Sequence, residues 1–227
     1  MAILLALLVL FAFVDVWYFV RFFYLMAKAS TLRFMKTSLG VGRKHTLGDL
    51  LRPIVLRGMV LPSDIDFLMH MNNSKYLREM DFGRSKLYLE SGLREETRKV
   101  RAATLVAAIS IRYRRSLRLW QLFTLTTRLV YWNDNAFYLE QRFTGRDGFV
   151  HAIAFVKMVV RSESGRVSPG EVAKKVGREG GGDVESPSPS PELKDWIESL
   201  EKSSKSMKNE RLSDLQKKNS QRGSLFS

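Results

Sequence analysis

DIDFLMHMNNSKY, residues 64–76, sets two carboxylates two positions apart, then a histidine and a pair of asparagines, among Phe67, Leu68, Met69 and Met71. Asparagine is a favoured helix N-cap, because its side-chain oxygen accepts a hydrogen bond from a first-turn amide. From Asn73 to Ser91, Tyr76, Leu77, Met80, Leu87 and Tyr88 recur at near-helical spacing, and Gly92 stands just past the end, where helices take a left-handed residue. The stretch therefore predicts a polar turn that runs directly into a long helix. Gly83 falls on the apolar face of that helix, where glycine costs ~1 kcal/mol relative to alanine. A glycine there predicts a helix pressed close against another element.

On either side the periodicity changes from helical to alternating. Upstream, GMVL from Gly58 reads as a short strand ended by Pro62-Ser63. Downstream, TLVAAISIRYRR, LFTLTTRLVYW, AFYLEQRF and FVHAIAFVKMVVR read as four strands, separated by SLRLWQ and by the hairpin-grade turns NDN and TGRDG. In LFTLTTRLVYW, Phe123, Leu125, Thr127, Leu129 and Tyr131 define one face, whereas FVHAIAFVKMVV is apolar at most positions, as suits a strand covered on both sides. A strand, one long helix and an antiparallel meander make an α+β domain over residues 57–162, with the helix on one face of the sheet.

The ends differ from this core. Residues 1–20 are apolar except for Asp15, and as a helix would reach about 30 Å, enough to cross a hydrocarbon core. Trp17 and Tyr18 fall near the end of the run, and positive charge begins at once with Arg21. Residues 1–21 thus read as a transmembrane signal anchor. The rival is a cleaved signal peptide with Ala27-Lys28-Ala29 as its box, which would make the protein secreted. Residues 22–56 read as a juxtamembrane tether. Across residues 21–57, Arg21, Lys28, Arg33, Lys36, Arg43, Lys44, Arg52 and Arg57 are opposed by Asp49 alone. An anchor with this flank places the rest of the chain on the cytosolic side of the endoplasmic reticulum membrane. Residues 163–191 have Gly/Ser/Pro linker composition, 192–202 read as a short amphipathic helix, and 203–227 as a disordered tail.

Composition excludes several classes. The chain has no cysteine, so disulfides, thiolate metal sites and a cysteine nucleophile are ruled out. Its net charge of +14 invites a nucleic-acid reading, but the basic residues flank a membrane-grade segment and form no recognisable nucleic-acid motif. No nucleic acid and no metal are expected.

The pattern D64-x-D66-x-x-x-H70-x-N72-N73-x-x-Y76, the helix with Asp81, Gly83 and Arg84, and the run ISIRYRR before a meander together resemble the hotdog-fold thioesterases, most nearly the 4-hydroxybenzoyl-CoA thioesterase-like proteins. The resemblance spans about residues 57–162. It implies a hotdog fold, in which an antiparallel sheet wraps a long helix, here with an N-terminal transmembrane anchor. It also implies a homodimer or higher oligomer with sites at the interface, and hydrolysis of acyl-CoA or acyl-ACP thioesters without a cofactor. By resemblance Asp66 is the catalytic carboxylate, His70 the family histidine, and Asn72 and Asn73 the polar residues at the helix start. Asp64 and Asp81 are possible second carboxylates. Tyr76, Arg112, Arg114 and Arg115 would meet the substrate or the phosphates of coenzyme A. Two positions depart from the family: Met69 replaces the usual glycine before the histidine, and Leu68 replaces the asparagine of the acyl-ACP enzymes.

The chemistry is consistent with the residues. A carboxylate beside a thioester carbonyl can act as general base or as nucleophile, and first-turn helix amides can hold the developing oxyanion. Each residue also has a plainer role: a turn cap or ion pair for Asp66 and Asp64, a structural histidine for His70, caps for Asn72 and Asn73, core for Tyr76, a helix ion pair for Asp81, and a solvated or membrane-facing basic edge for the arginines. The alternative to an enzyme is a non-catalytic hotdog protein that binds acyl chains or scaffolds partners at the membrane. His45 and His151 receive no role.

Overall fold

A computed structural model describes residues 15–38, 46–178 and 185–223. Five strands form one antiparallel path: β1 (Ile54–Met59), β2 (Ala102–Tyr113), β3 (Leu122–Trp132), β4 (Phe137–Gly145) and β5 (Val150–Ser162), in the order β1-β3-β4-β5-β2, with β6 (Gly165–Val167) paired to β5. The alternation of LFTLTTRLVYW is realised in β3, where Phe123, Leu125, Thr127 and Leu129 are all buried. β5 lies between β4 and β2 and buries residues of both faces, among them Ala152, Ala154, Phe155 and Val156. β2 is an edge strand, and Leu105 and Val106 stand exposed on it.

The long helix, α3 (Asn73–Glu90), lies across this sheet against β3 and β1, and buries Tyr76, Met80 and Leu87. Gly83 is where helix and sheet come closest. A Cβ there would sit 2.4 Å from Thr127 Oγ1 and 2.9 Å from Gln141 Nε2. The close approach expected from the sequence is therefore a real contact. Ser91 ends the helix and Gly92 follows with φ 86°, the left-handed conformation expected of it. α4 (Leu93–Lys99) then leads into β2.

Three regions outside 57–162 are more ordered than their composition suggests. α1 (Val16–Ser38) runs from the end of the expected anchor into the expected tether, which also holds α2 (Leu47–Leu51), capped by a reciprocal Thr46–Asp49 box. β6 and α5 (Pro169–Arg178) occupy the expected linker, because Val172, Ala173 and Val176 form a one-turn apolar face that packs into the core. Residues 188–223 form a separate unit, whose single helix α6 (Pro191–Gly223) continues through the expected tail. Lys, Glu, Arg, Gln and Leu favour helix, and no Gly or Pro interrupts them before Gly223. Of the expected anchor, residues 1–14 lie outside the described residues, as does His45. Among the described residues no helix is long and apolar enough to cross a membrane.

Candidate active site

The turn ahead of α3 is tied at both ends. Pro62–Asp64 form a single 3₁₀ turn, and the Asp64 carboxylate reaches back to accept from the Leu61 amide at 3.0 Å. Its other oxygen takes Arg78 Nη2 at 2.5 Å, while the Asp64 carbonyl accepts from the Asn72 amide at 2.8 Å. Asp64 is 2% exposed, so the first aspartate of the motif is a structural tie. Burial alone would lower the pKa of Arg78, but its bonds to Asp64 and Glu79 outweigh that and raise it.

Inside this tie Asp66 to His70 form a tight loop. The Asp66 amide donates to the His70 carbonyl at 3.0 Å, the Met69 amide to the Asp66 carbonyl at 3.0 Å, and the Leu68 amide to Asp66 Oδ1 at 3.0 Å. Met69 closes the loop at φ 59°, the left-handed region in which glycine is at ease. The loop needs that conformation, which gives a backbone reason for a glycine there; in this chain methionine adopts it. Asp66 Oδ2 has no hydrogen bond among the described residues. His70 Nδ1 lies 3.5 Å from Asp66 Oδ1, too poorly aligned to bond, and is otherwise buried without a partner. A carboxylate with one fixed oxygen and one without a hydrogen bond thus stands beside an imidazole nitrogen that has no partner, the combination of this loop that its own bonding leaves unused.

The pair sits at the head of α3. Asn72 is the N-cap, its Oδ1 accepting from the Ser74 amide at 2.9 Å, and its carbonyl accepting from the Lys75 amide at 2.9 Å. The Asn73 amide stands ahead of these at the positive end of the helix dipole. The Asn73 carbonyl accepts from Tyr113 Oη at 3.2 Å, which pins the end of β2 to the helix start. Tyr76, expected against the substrate, is instead a core residue. It is 2% exposed, packs edge-on against Phe143 and Tyr113, and its hydroxyl accepts from the Leu117 amide at 3.2 Å; burial raises its pKa.

Asp81 is occupied. Tyr18 Oη donates to its Oδ2 at 2.5 Å and Arg84 Nη2 to its Oδ1 at 3.1 Å. It belongs to a polar layer that includes the buried Gln141, which donates to the Met80 carbonyl and to Thr127 Oγ1 and accepts from Arg84 Nη1. Burial draws the Arg84 guanidinium below its ordinary pKa, with Asp81 opposing. Sequence reasoning gave no role to the buried Gln141 and Glu79, or to the half-buried Arg78. Their signals are a glutamine within an otherwise apolar strand, and adjacent opposite charges on a helix face that must pack.

The arginines flank the loop in two ways. Arg118 pairs with His70 in an isolated β-bridge, and the Met71 amide donates to the Leu117 carbonyl at 2.8 Å, so the chain after β2 runs beside the motif. Arg115 lies over the Phe149 ring at 3.6 Å and reaches Asp147 at 3.1 Å, and Arg114 lies over the same ring at 4.8 Å. These two are thus gathered on the β4–β5 hairpin, while Arg112 is exposed at the end of β2. His151 is buried on that hairpin, with Nδ1 2.9 Å from the Arg115 carbonyl and Nε2 3.2 Å from Gln121, a structural histidine.

Residues 60–197 match the family model described as the thioesterase-like superfamily. Protein THEM6 of Xenopus laevis is 39% identical over 202 residues, covering 88% of each chain. Protein THEM6 of Drosophila melanogaster is 32% identical over 213 residues, covering 93% of this chain and all of its own. Among solved structures, the hypothetical protein SAV2348 of Staphylococcus aureus, described in complex with CoA, superposes with a TM-score of 0.50 at 16% identity, over 62% of this chain and 91% of that one. That likeness is one of fold.

Proposed function

The chain belongs to the thioesterase-like superfamily, and from that premise we propose that it hydrolyses fatty acyl-CoA thioesters, as a homodimer, at the cytosolic surface of the endoplasmic reticulum membrane. The observation that carries the chemistry is the Asp66–His70 loop at the head of α3, with Asp66 Oδ1 fixed by the Leu68 amide and Oδ2 open. Asp66 takes a proton from water as the water oxygen adds to the thioester carbonyl carbon. The oxyanion of the tetrahedral adduct is met by the first-turn amides of α3, where the helix dipole favours negative charge. The C–S bond then breaks, the thiolate leaves and takes the proton held by Asp66, and the carboxylic acid product remains. Thiolate is a fair leaving group, so no strong acid is needed. His70, 3.5 Å from Asp66, orients the water or the carboxylate. Arg114 and Arg115, which follow β2 and pack against the β4–β5 hairpin, suit the phosphates of coenzyme A. The basic flank of residues 21–57 favours an anionic leaflet.

The test is hydrolysis of long-chain acyl-CoA by the purified full-length chain. Asp66→Asn, which keeps shape and the Leu68 contact, should lower kcat by about 10²–10⁴-fold with the melting curve unchanged. Undiminished turnover in that variant would remove Asp66 from the chemistry. Leu68 favours a second reading, because it places no amide side chain two residues before His70. In that reading the protein holds acyl chains without cleaving them, and acyl-CoA would bind but survive incubation with the unmodified chain.

A further inference from the structure

α1 is seated on the domain by its polar side and turns its aromatic side outward. Tyr18 donates to Asp81 at 2.5 Å and stacks on Phe82 at 5.3 Å between centroids. Arg21 grips Glu79 with two bonds, 2.5 and 2.7 Å, and lies 4.5 Å from the centre of the Phe82 ring. Asp15 comes within 3.9 Å of Arg78. With α1 in place Glu79 is only 4% exposed, its carboxylate shared between Arg21 and Arg78. On the opposite side Trp17, Phe19, Val20, Phe23 and Tyr24 are exposed, Phe23 by 64% and Tyr24 by 66%.

We propose that this outward face of α1, from Trp17 to Tyr24, is a lipid-contact surface that lies along an anionic membrane, so that α1 rests on the bilayer instead of crossing it. Spanning would carry Asp15, Tyr18 and Arg21 into hydrocarbon and strip Glu79 and Asp81 of these partners, which a low-dielectric interior penalises. A docked helix satisfies both faces. Its polar side keeps its ion pairs on α3, and its aromatic side offers Trp, Tyr and Phe, residues suited to the interface between headgroups and acyl chains. Charge selects the occupant. The apolar run of residues 1–14 precedes this face, and Lys28, Arg33 and Lys36 follow it in sequence with no acidic residue among them, which fits a lipid surface carrying negative headgroups. A second copy of this strongly basic chain would bring its own positive charge to the same place.

The proposal rests on the membrane-surface part of the functional reading and deepens it. Because the chain lacks cysteine, a single engineered thiol reports one position. Trp17→Cys and Tyr24→Cys, two turns apart on the outward face, each carry an environment-sensitive fluorophore in the full-length chain, with Ser164→Cys as the remote control. Vesicles of phosphatidylcholine with a minor fraction of phosphatidylserine bear a quencher either near the headgroup or near the acyl terminus. The expected result is quenching that is several-fold stronger from the headgroup position and alike at 17 and 24, with Ser164→Cys unaffected. A crossing helix changes depth by about 1.5 Å per residue, so stronger quenching from the acyl terminus at 17 than at 24 would overturn the proposal. Flotation with the vesicles while 17 and 24 stay unquenched would overturn it and leave the membrane-surface reading standing; failure to float would remove both. A fluorescence change that depends on protein concentration and not on lipid would assign the face to a second copy, and would equally overturn it. Acyl-CoA turnover, assayed separately in detergent, bears on none of these outcomes.

Discussion

Met69 holds its loop at φ 59° with its side chain largely in solvent, so substitutions there act through the backbone. Met69→Gly should be tolerated, since relief of left-handed strain and the added entropy of the unfolded chain are each of order 1 kcal/mol and opposed. Met69→Val should cost roughly 1–2 kcal/mol, because a β-branched residue fits this region least well. Urea denaturation of the two variants checks this, and a valine variant as stable as the parent would mean that the loop is not held in that conformation. At this scale the sequence was most informative where a residue acts on its near neighbours. Asn72 as cap, Gly92 as terminator and Asp64 as a structural tie were all legible. The helix ion pair of Asp81, made with Arg84, was legible as well, but its bond from Tyr18 was not, because that partner lies 63 residues away and nothing local announces it.

Among the elements, the contact between α3 and the sheet sets the sharpest constraint. Helix propensity favours Gly83→Ala by ~1 kcal/mol. The added Cβ, however, would fall 2.4 Å from Thr127 Oγ1, which is buried and accepts from Gln141 Nε2. Overpacking of this kind costs about 1–3 kcal/mol, and the disturbed polar layer adds to it. The alanine variant should therefore unfold at lower temperature than the parent, and a higher melting temperature would show that the helix can lift away. The strands of the meander were readable because their alternation is long and uninterrupted. α5 was hidden because its buried apolar side chains, Val172, Ala173 and Val176, sit among lysine, glycine and glutamate, so composition outweighed a single turn of apolar spacing.

The whole molecule exposes β2 as a sheet edge 12 residues long, interrupted by an irregularity between Val106 and Ala108. An edge that carries exposed Leu105 is a template for another strand unless something covers it. The proposed homodimer would use it, so Leu105→Lys should shift the detergent-purified chain from dimer to monomer in light scattering. A dimer that survives the charge would have to be built on another surface. Fold class and the order of the main elements were legible at this scale, because one apolar face per element suffices to specify them. How the N-terminal segment meets the domain was not, because that meeting joins residues on opposite sides of the first strand.

The clasp between α1 and α3 also has an order in time. Arg21 is made 58 residues before Glu79, and at about 5–20 residues per second its seat is missing for roughly 3–12 s of synthesis. During that interval α1 has aromatic side chains and a cation but no carboxylate to receive them. Whatever surface lies near the ribosome meets the helix first, and α3 must later compete for it.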